Sequence, residues 1–358
     1  QYRNEYRSED YIRAFQQILE LAISFKVDFI LLGGDIFTSL EILPGKLTKI
    51  VNILKDFKKI TKNSILIIGI EGNHDIRKYS RGIRFERRGQ SWMKLLNSLG
   101  LIILLDIDSE APPEKMFKVY NFKTRKGGKI QIKNVMIYGT HYLGEKPISL
   151  LSKIRKAIVK DNNLFNILLQ HFGIEGQIEN VPGVKLEDIH HLRHRINYLA
   201  LGHFHKQFVL DDWIYNPGSP EVVCSMDDSF KRGIFLVTIS KKFDKFVKKV
   251  KFIRLINRKS LWHTIYLKFQ IKNKYVFETY ILDKLKTSLR YLNYENHPSN
   301  LQMPILYLVI KGIEPSKSYN INKKYLTRKI CSVLPVVDVI IYQKFVKSLK
   351  TIDNYLII

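Results

Sequence analysis

Four continuous apolar runs in the first part of the chain each end in polar or ionisable side chains. The runs cover residues 27–32, 65–70, 165–169 and 196–201. A short continuous run, unlike an alternating one, is typical of a strand buried on both faces of a helix-covered sheet. Helix-like stretches such as Leu47 to Phe57 lie between them. Strands alternating with helices predict an α/β domain in which helices flank layered β-sheets.

The residues that follow these runs share one kind of chemistry. In open α/β sheets, ligand sites form beyond the carboxyl ends of the strands. A lone Asp or His at a strand end is usually a capping or core residue, so the prediction depends on several occurring together. Carboxylate, amide and imidazole groups without thiolate suit Mn²⁺, Fe²⁺, Mg²⁺ or Zn²⁺ in a hydrolytic site. The six candidates are Asp35, Asn73, His74, His171, His203 and His205.

Asp35, Asn73 and His74 lie where a two-metal site needs them. Metal ions held roughly 3.5 to 4 Å apart can activate water and stabilise the leaving oxygen of a phosphoester, which requires a bridging carboxylate. Asp35 is the natural bridge, because Gly33 and Gly34 let the backbone approach closely. His74 directly follows Asn73, whose amide oxygen adds a ligand without charge, so His74 can reach a scissile phosphate as a general acid.

The composition narrows the class of protein. The 59 Lys and Arg against 33 Asp and Glu give a net charge of +26, which favours a polyanionic partner such as nucleic acid over a small substrate. Charge alone does not exclude a generally basic surface. With only Cys224 and Cys331, neither a disulfide framework nor a thiolate zinc site is indicated. No apolar run approaches the roughly 20 residues that span a bilayer.

These features predict an intracellular protein, in the cytoplasm or nucleoid of a prokaryote or the nucleus of a eukaryote. Because 358 residues exceed what one core usually serves, we expect two domains. We predict a main domain over residues 1–250, a small α/β domain over 251–342 and a C-terminal tail over 343–358. The Lys-rich passage from Lys241 to Lys259 alternates with apolar residues, which fits strands with one wet face as well as a DNA-binding surface.

The strand-end motifs resemble, in order and spacing, those of the calcineurin-like metallophosphoesterase superfamily. They are Gly33-Gly34-Asp35, Gly72-Asn73-His74-Asp75, the strand-end His171 and Gly202-His203-Phe204-His205. Within that superfamily, residues 27–37, 71–75, 198–206 and 216–219 resemble the Mre11/SbcD nucleases of DNA double-strand-break repair. The resemblance covers residues 1–240 well and the remainder only by architecture. It implies a layered metallophosphoesterase fold with a small C-terminal α/β capping domain that helps present DNA ends.

The same resemblance implies a two-metal-dependent DNA nuclease with Mn²⁺-dependent exonuclease and endonuclease activity. It also implies a homodimer and an ATPase partner of the Rad50/SbcC type, although the tail 343–358 is short for the family's partner-binding helices. Asp35 would bridge both metal ions, and His205 would bind the second. His74 would stabilise the transition state or protonate the leaving group. The remaining ligands, all to the first metal ion, would be Asn73, His171 and His203.

The sequence departs from the family pattern in two places. The family's opening Asp-x-His motif, which supplies two ligands, is absent from the sequence that starts at Gln1. We expect this sequence by itself to hold one metal poorly and to be weak or inactive unless an upstream strand is restored. Thr38 stands where many relatives carry a His. Two alternatives therefore stay open: a phosphoesterase acting on a small phosphodiester or a phosphoprotein, and a non-catalytic DNA-binding scaffold.

A cluster of basic residues follows the loop that carries Asn73 and His74. Because it adjoins the expected active edge, we predict that it contacts DNA phosphates. The cluster comprises Arg77, Lys78, Arg81, Arg84, Arg87 and Arg88. His141 ends another apolar run but matches no family ligand, and we expect a hydrogen-bonded structural histidine. Helical spacing that suits either a core or a homodimer interface is found at Trp92, Leu95, Leu96 and Leu99.

Overall fold

The computed structural model describes residues 5–38, 41–76, 91–144, 148–243, 245–292, 303–316 and 320–346. The chain divides into two units. The larger unit comprises Tyr11–Leu255 together with Gln1, and the smaller one comprises Tyr2–Asp10 together with Ile256–Ile358. Among the helices of the described ranges, none is both long and apolar enough to cross a membrane.

In the larger unit, strands and helices alternate along the chain as the apolar runs predict. The helices are α1 (Glu5–Ser24), α2 (Pro44–Ile60), α3 (Trp92–Ser98), α4 (Pro113–Met116), α5 (Ile148–Ala157) and α6 (Leu186–Ile189). The strands are β1 (Phe29–Leu32), β2 (Leu66–Gly69), β3 (Ile103–Leu104), β4 (Lys129–Ile132), β5 (Val135–Gly139), β6 (Phe165–His171), β7 (Tyr198–Gly202), β8 (Phe208–Leu210), β9 (Ile214–Asn216), β10 (Gly233–Lys242) and β11 (Lys245–Arg254). Short 3₁₀ turns follow α6 and precede β10, at His190–His194 and Ser225–Asp227.

The strands of this unit form three sheets. The first is parallel, in the order β1-β2-β3. The second has the order β4-β5-β6-β7-β9-β8, parallel from β5 to β9 with an antiparallel strand at each edge. The third is the antiparallel hairpin β10-β11. All four predicted runs are strands (β1, β2, β6 and β7), so the α/β prediction is confirmed.

Three apolar clusters define the layers of this unit. The central cluster joins the first two sheets face to face, for example Ile68 of β2 with Ile137 of β5 and Leu169 of β6. On the outer face of the first sheet, α1, α2 and α3 pack through residues such as Leu54. On the outer face of the second sheet, α5 packs through residues such as Ile154. Two sheets thus lie between two helical layers, and the core residues have little or no exposure.

The hairpin β10-β11 accounts for the Lys-rich passage. Phe235, Val237 and Phe246 on one face pack against the central cluster. Lys245, Lys249 and Lys251 alternate with them along β11 and face solvent. The alternation is therefore that of strands with one wet face, and DNA contact by the lysines stays a prediction.

The smaller unit contains a parallel sheet of three strands and two helices. Its elements are β12 (Ser260–Leu267), α7 (Lys274–Ser288), β13 (Ile305–Ile313), α8 (Lys323–Cys331) and β14 (Asp338–Val346). Asn273 and Asn322 cap the two helices by accepting hydrogen bonds from backbone N–H groups. The start of α1 is fastened within this unit, because Arg258 makes a buried bidentate ion pair with Asp10 at 2.8 Å on both oxygens.

Candidate metal centre

The carboxyl ends of β1 and β7 approach each other at two glycines. A Cβ atom on Gly202 would lie 2.1 Å from the carbonyl oxygen of Gly33. Gly34 has φ +92°, and a Cβ there would lie 2.6 Å from Nδ1 of His171. No other residue type fits at these positions without displacing the backbone. The two sheets can therefore bring the loops that follow their strands together at one edge.

Asp75 ties the loops after β1 and β2 to each other. Its Oδ2 accepts hydrogen bonds from the backbone N–H groups of Asp35 at 2.6 Å and Gly72 at 3.0 Å, and its Oδ1 accepts one from Phe37 at 3.1 Å. Burial raises the pKa of Asp75 to about 6, even though the three N–H donors favour the carboxylate. Sequence reasoning gave Asp75 no role, and here it fixes the backbone on which Asp35 and Asn73 are carried.

Asp35 lies at the centre of the edge, with a backbone φ of +54°. Its Oδ1 accepts a hydrogen bond from the backbone N–H of His74 at 2.8 Å, and its Oδ2 lies 3.1 Å from Nε2 of His171. Burial acts to raise the pKa of Asp35, but the hydrogen bond and charge of His171, together with the His74 N–H, hold it below its usual value of 3.8. Asp35 is thus an anion at neutral pH, as a metal ligand must be.

His171 is oriented by the backbone of the facing sheet. Its Nδ1 lies 2.6 Å from the carbonyl oxygen of Gly33, so Nδ1 carries the proton and donates it. The lone pair of Nε2 then faces Oδ2 of Asp35 and Oδ1 of Asn73, each at 3.1 Å. His203 directs its Nδ1 to the same Asn73 oxygen, also at 3.1 Å.

The side chains of Asp35, Asn73, His171 and His203 therefore bring several electron-pair donors together, and there are fewer N–H protons than contacts among them. When the His171 ring is neutral, the lone pair on its Nε2 repels the oxygens of Asp35 and Asn73 unless a metal cation lies among them, and otherwise a proton on Nε2 joins them. Ligand atoms of Asp35, His171 and His203 all lie within 4.8 Å of one another. Burial, followed by the charge of His171, lowers the pKa of His203 to about 4, which keeps its ring neutral and able to bind a metal. The donor set therefore fits a divalent metal ion.

His205 and His74 lie beside this group rather than inside it. Nδ1 of His205 lies 2.8 Å from Oδ2 of Asp227, so that Nε2 is left for another partner. Burial acts to raise the pKa of Asp227, but the hydrogen bond and charge of His205 hold it below its usual value. A carboxylate that orients a histidine in this way is the usual support of a metal-binding imidazole. The backbone N–H of His74 is committed to Asp35, which fixes the position of that residue next to the carboxylate.

Tyr142 is a second neighbour that sequence reasoning missed. Its ring centroid lies 5.9 Å from that of His171, edge to face, and 6.1 Å from that of His203, nearly parallel. Its backbone N–H donates to the carbonyl oxygen of Glu71 at 2.8 Å, at the start of the loop after β2. Tyr142 therefore packs against both imidazoles and limits their rotation.

The remaining predicted residues have different outcomes. His141, expected to be a structural histidine, is buried and lies 2.5 Å from Oδ1 of Asp106. Thr38 is exposed. Leu96 of α3 belongs to the core, whereas Leu99, the residue directly after α3, is half exposed. The predicted phosphate-contacting cluster lies outside the described residues; it comprises Arg77, Lys78, Arg81, Arg84, Arg87 and Arg88.

Comparison with known proteins agrees with this geometry. The family model of the calcineurin-like phosphoesterases matches residues 7–207, which include all six candidates. The DNA double-strand break repair protein Mre11 of Saccharolobus solfataricus is 24% identical over 364 residues, covering 99% of this chain and 81% of that protein. The Mre11 protein of Sulfurisphaera tokodaii is 25% identical over 319 residues, covering 87% and 70%. That of Archaeoglobus fulgidus is 36% identical over 107 residues, covering 30% and 21%. The chain belongs to the calcineurin-like phosphoesterase family of metal-dependent hydrolases, and its similarity to archaeal Mre11 proteins extends over nearly its whole length.

Proposed function

We propose that this protein is a two-metal-dependent DNA nuclease that processes DNA ends in double-strand-break repair. The observation that carries the proposal is the convergence of ligand atoms from Asp35, Asn73, His171 and His203 at one edge, because carboxylate, amide and imidazole donors together suit a divalent metal ion. The Mre11 proteins named above support DNA as the substrate. So does the net charge of +26, which is more than a small phosphodiester needs.

In this proposal each residue has a defined task. Asp35 would hold both of two divalent metal ions, for which we propose Mn²⁺, and His205, oriented by Asp227, would hold the second. When bound, the ions would activate water and neutralise charge on the phosphoryl group. Asn73, His171 and His203 would hold the first ion. His74 donates a proton to the leaving oxygen, and its hydrogen bond to Asp35 holds it beside the reacting phosphate.

The proposed DNA and protein partners rest on the similarity to the Mre11 proteins. We propose that the basic cluster from Arg77 to Arg88 and the exposed lysines of β11 contact DNA phosphates, and that residues 251–342 act as a capping domain. We also propose a homodimer in which the half-exposed Leu99, directly after α3, contributes to the interface. An ATPase of the Rad50/SbcC type completes the complex.

Metal-dependent cleavage tests the proposal. Labelled single- and double-stranded DNA is incubated with Mn²⁺ and wild-type protein or the His74→Ala variant, and products are resolved on a gel. We expect the variant to cleave about 10² to 10⁴ times more slowly, because it lacks the general acid, while it binds DNA normally. The matched control is His190→Ala, which removes an exposed histidine of the 3₁₀ turn and should cleave at the wild-type rate.

Two outcomes would contradict the proposal. Full-length wild-type protein that binds DNA in a salt-sensitive manner but cleaves neither substrate would favour the scaffold alternative. A His74→Ala variant that cleaves as fast as the wild type would remove His74 from the mechanism, although the metal centre itself would stand.

A further inference from the structure

The parallel sheet of the smaller unit has two chemically different faces. On one face, Leu306, Leu308 and Ile310 of β13 pack with α7 and α8 in an apolar core. Parallel sheets usually have both faces covered, because their connections run over them. The face opposite the helices is made by the alternate residues of the three strands. It combines buried residues such as Ile305 and Tyr307 with exposed aromatic and basic side chains.

Two aromatic side chains of β12 dominate that opposite face. Trp262 is 52% exposed and Tyr266 is 59% exposed. The ring of Trp262 stacks on Tyr307 of β13, with centroids 4.6 Å apart and 20° between the planes. It is also nearly parallel to Tyr342 of β14, at 6.2 Å and 12°. The neighbouring rings therefore restrict the orientation of the indole, about half of which is exposed.

Lysines border the aromatic residues at the carboxyl ends of the strands. Strand register pairs Tyr266 with Lys311, and Lys311 with Lys344. Nζ of Lys311 lies 5.7 Å from the ring centroid of Tyr266, within the range of a cation–π contact. Within the three strands the single acidic residue is Asp338, at the opposite end of β14. The end of the face that carries Tyr266 is thus positively charged.

The spacing of the two exposed rings suits a single strand of nucleic acid better than a duplex. Trp262 and Tyr266 are four residues apart in one strand, which places them roughly 13 Å apart along it. The bases of a duplex are spaced by about 3.4 Å and have their faces covered by their neighbours. Only a strand with unstacked bases can therefore lay one base on each ring.

We propose that this aromatic face, made of Trp262, Tyr266, Lys311 and Lys344, binds single-stranded DNA. Unpaired bases stack on the two exposed rings, and the lysines contact the adjacent phosphates, as in proteins that combine aromatic platforms with a basic groove. The inference rests on the proposed nuclease function, which makes DNA the polyanion at hand. It deepens that function by assigning to the smaller unit the unpaired strand of the substrate.

Binding measurements on matched DNA probes test this assignment. Fluorescence anisotropy is recorded for a labelled 20-nucleotide oligo-dT and for a labelled 20-base-pair duplex, in EDTA so that nothing is cleaved. We expect the double variant Trp262→Ala/Tyr266→Ala to bind oligo-dT at least about tenfold more weakly, since each lost stack is worth a factor of this order. Duplex affinity should change by less than about twofold. The control is Tyr275→Ala, which removes a 70% exposed ring from α7 in the same unit and should leave both affinities unchanged.

A second variant keeps the test decisive if the aromatic substitutions perturb folding. Lys311→Ala/Lys344→Ala should lower the slope of log affinity for oligo-dT against log salt by about 1.4, from about 0.7 for each phosphate contact. An unchanged slope, or equal losses for oligo-dT and duplex in the aromatic variant, would overturn the assignment. Hydrolysis of bis-p-nitrophenyl phosphate with Mn²⁺ tests the nuclease proposal separately from the aromatic face. All these variants should hydrolyse this substrate at the wild-type rate. A full-length wild-type protein that does not hydrolyse it would contradict the nuclease proposal and not the proposal for the aromatic face.

Discussion

Two buried histidines at the ends of adjacent strands have opposite surroundings. His141 follows β5 and His171 ends β6, and since Gly139 pairs with Leu169 in parallel, the two histidines occupy equivalent positions in the sheet. They are 7% and 2% exposed. The sequence pattern alone describes both in the same way, as a histidine at the end of an apolar run.

The facing sheet makes the difference between them. Opposite His171 lie the loops after β1 and β2, which provide the Gly33 carbonyl for Nδ1 and two oxygens for Nε2. His141 instead meets Asp106, which follows β3, at 2.5 Å. Each of the two strands thus ends at an imidazole. Whether that imidazole can bind a metal depends on how many electron-pair donors the facing sheet brings next to it.

The largest effect expected from this comparison is on hydrolysis. His171→Ala removes a proposed metal ligand, so the rate of Mn²⁺-dependent hydrolysis of bis-p-nitrophenyl phosphate should fall by about 10³-fold, more than the loss from a supporting residue. His141→Ala should leave that rate within about threefold at a temperature where it stays folded. Equal losses in the two variants, with circular dichroism spectra like the wild type, would show that the comparison is wrong.

A supporting carboxylate should have a smaller and different effect. Asp227→Asn keeps an oxygen for the N–H of His205 but loses the charge that orients and polarises it, so the Mn²⁺ concentration for half-maximal rate should rise about 10- to 100-fold. The rate at saturating Mn²⁺ should change much less. Asp211→Asn, which alters an exposed partner of Arg193, is the matched control and should shift neither quantity. A loss at saturating metal with unchanged metal dependence would contradict the positioning role.

The difference between Asp227 and the six strand-end candidates also marks the limit of prediction from sequence. Continuous apolar runs indicate strands whose polar ends gather at one edge of an α/β domain, so the amino-acid sequence predicts Asp35 and His171 at that edge. It does not predict that they belong to two different sheets that face each other. Asp227 lies in a 3₁₀ turn 22 residues beyond His205, and no periodicity indicates that a loop returns there. Likewise, the alternation of Lys and apolar residues fits the strands β10 and β11 with one wet face, but it does not show whether that face contacts DNA.

Tyr142 extends the comparison of His141 and His171 to side-chain packing, because it directly follows His141 in the chain but contacts His171 and His203. Tyr142→Leu should reduce the maximal rate about three- to tenfold, since both imidazoles lose a ring that limits their rotation. Tyr142→Phe keeps the ring and should restore nearly the full rate. If the Phe variant were as slow as the Leu variant, the hydroxyl rather than the packing would matter, and Tyr142 would belong to the reacting groups.

The smallest effect should come from replacing Asp106, the partner of His141. Asp106→Asn removes the charge of the pair with His141 but keeps a hydrogen-bonding oxygen. Since the Asp106 side chain is 36% exposed, the loss in free energy of unfolding should be only about 1 kcal/mol. Urea unfolding measures it, and the control is Asp28→Asn, whose pair with Lys133 is more exposed on both sides and should contribute still less. Metal-dependent hydrolysis should be unchanged in both variants. A large loss of hydrolysis in Asp106→Asn alone would place the His141 pair inside the catalytic centre, because a stability change of this size leaves the protein folded at 25 °C.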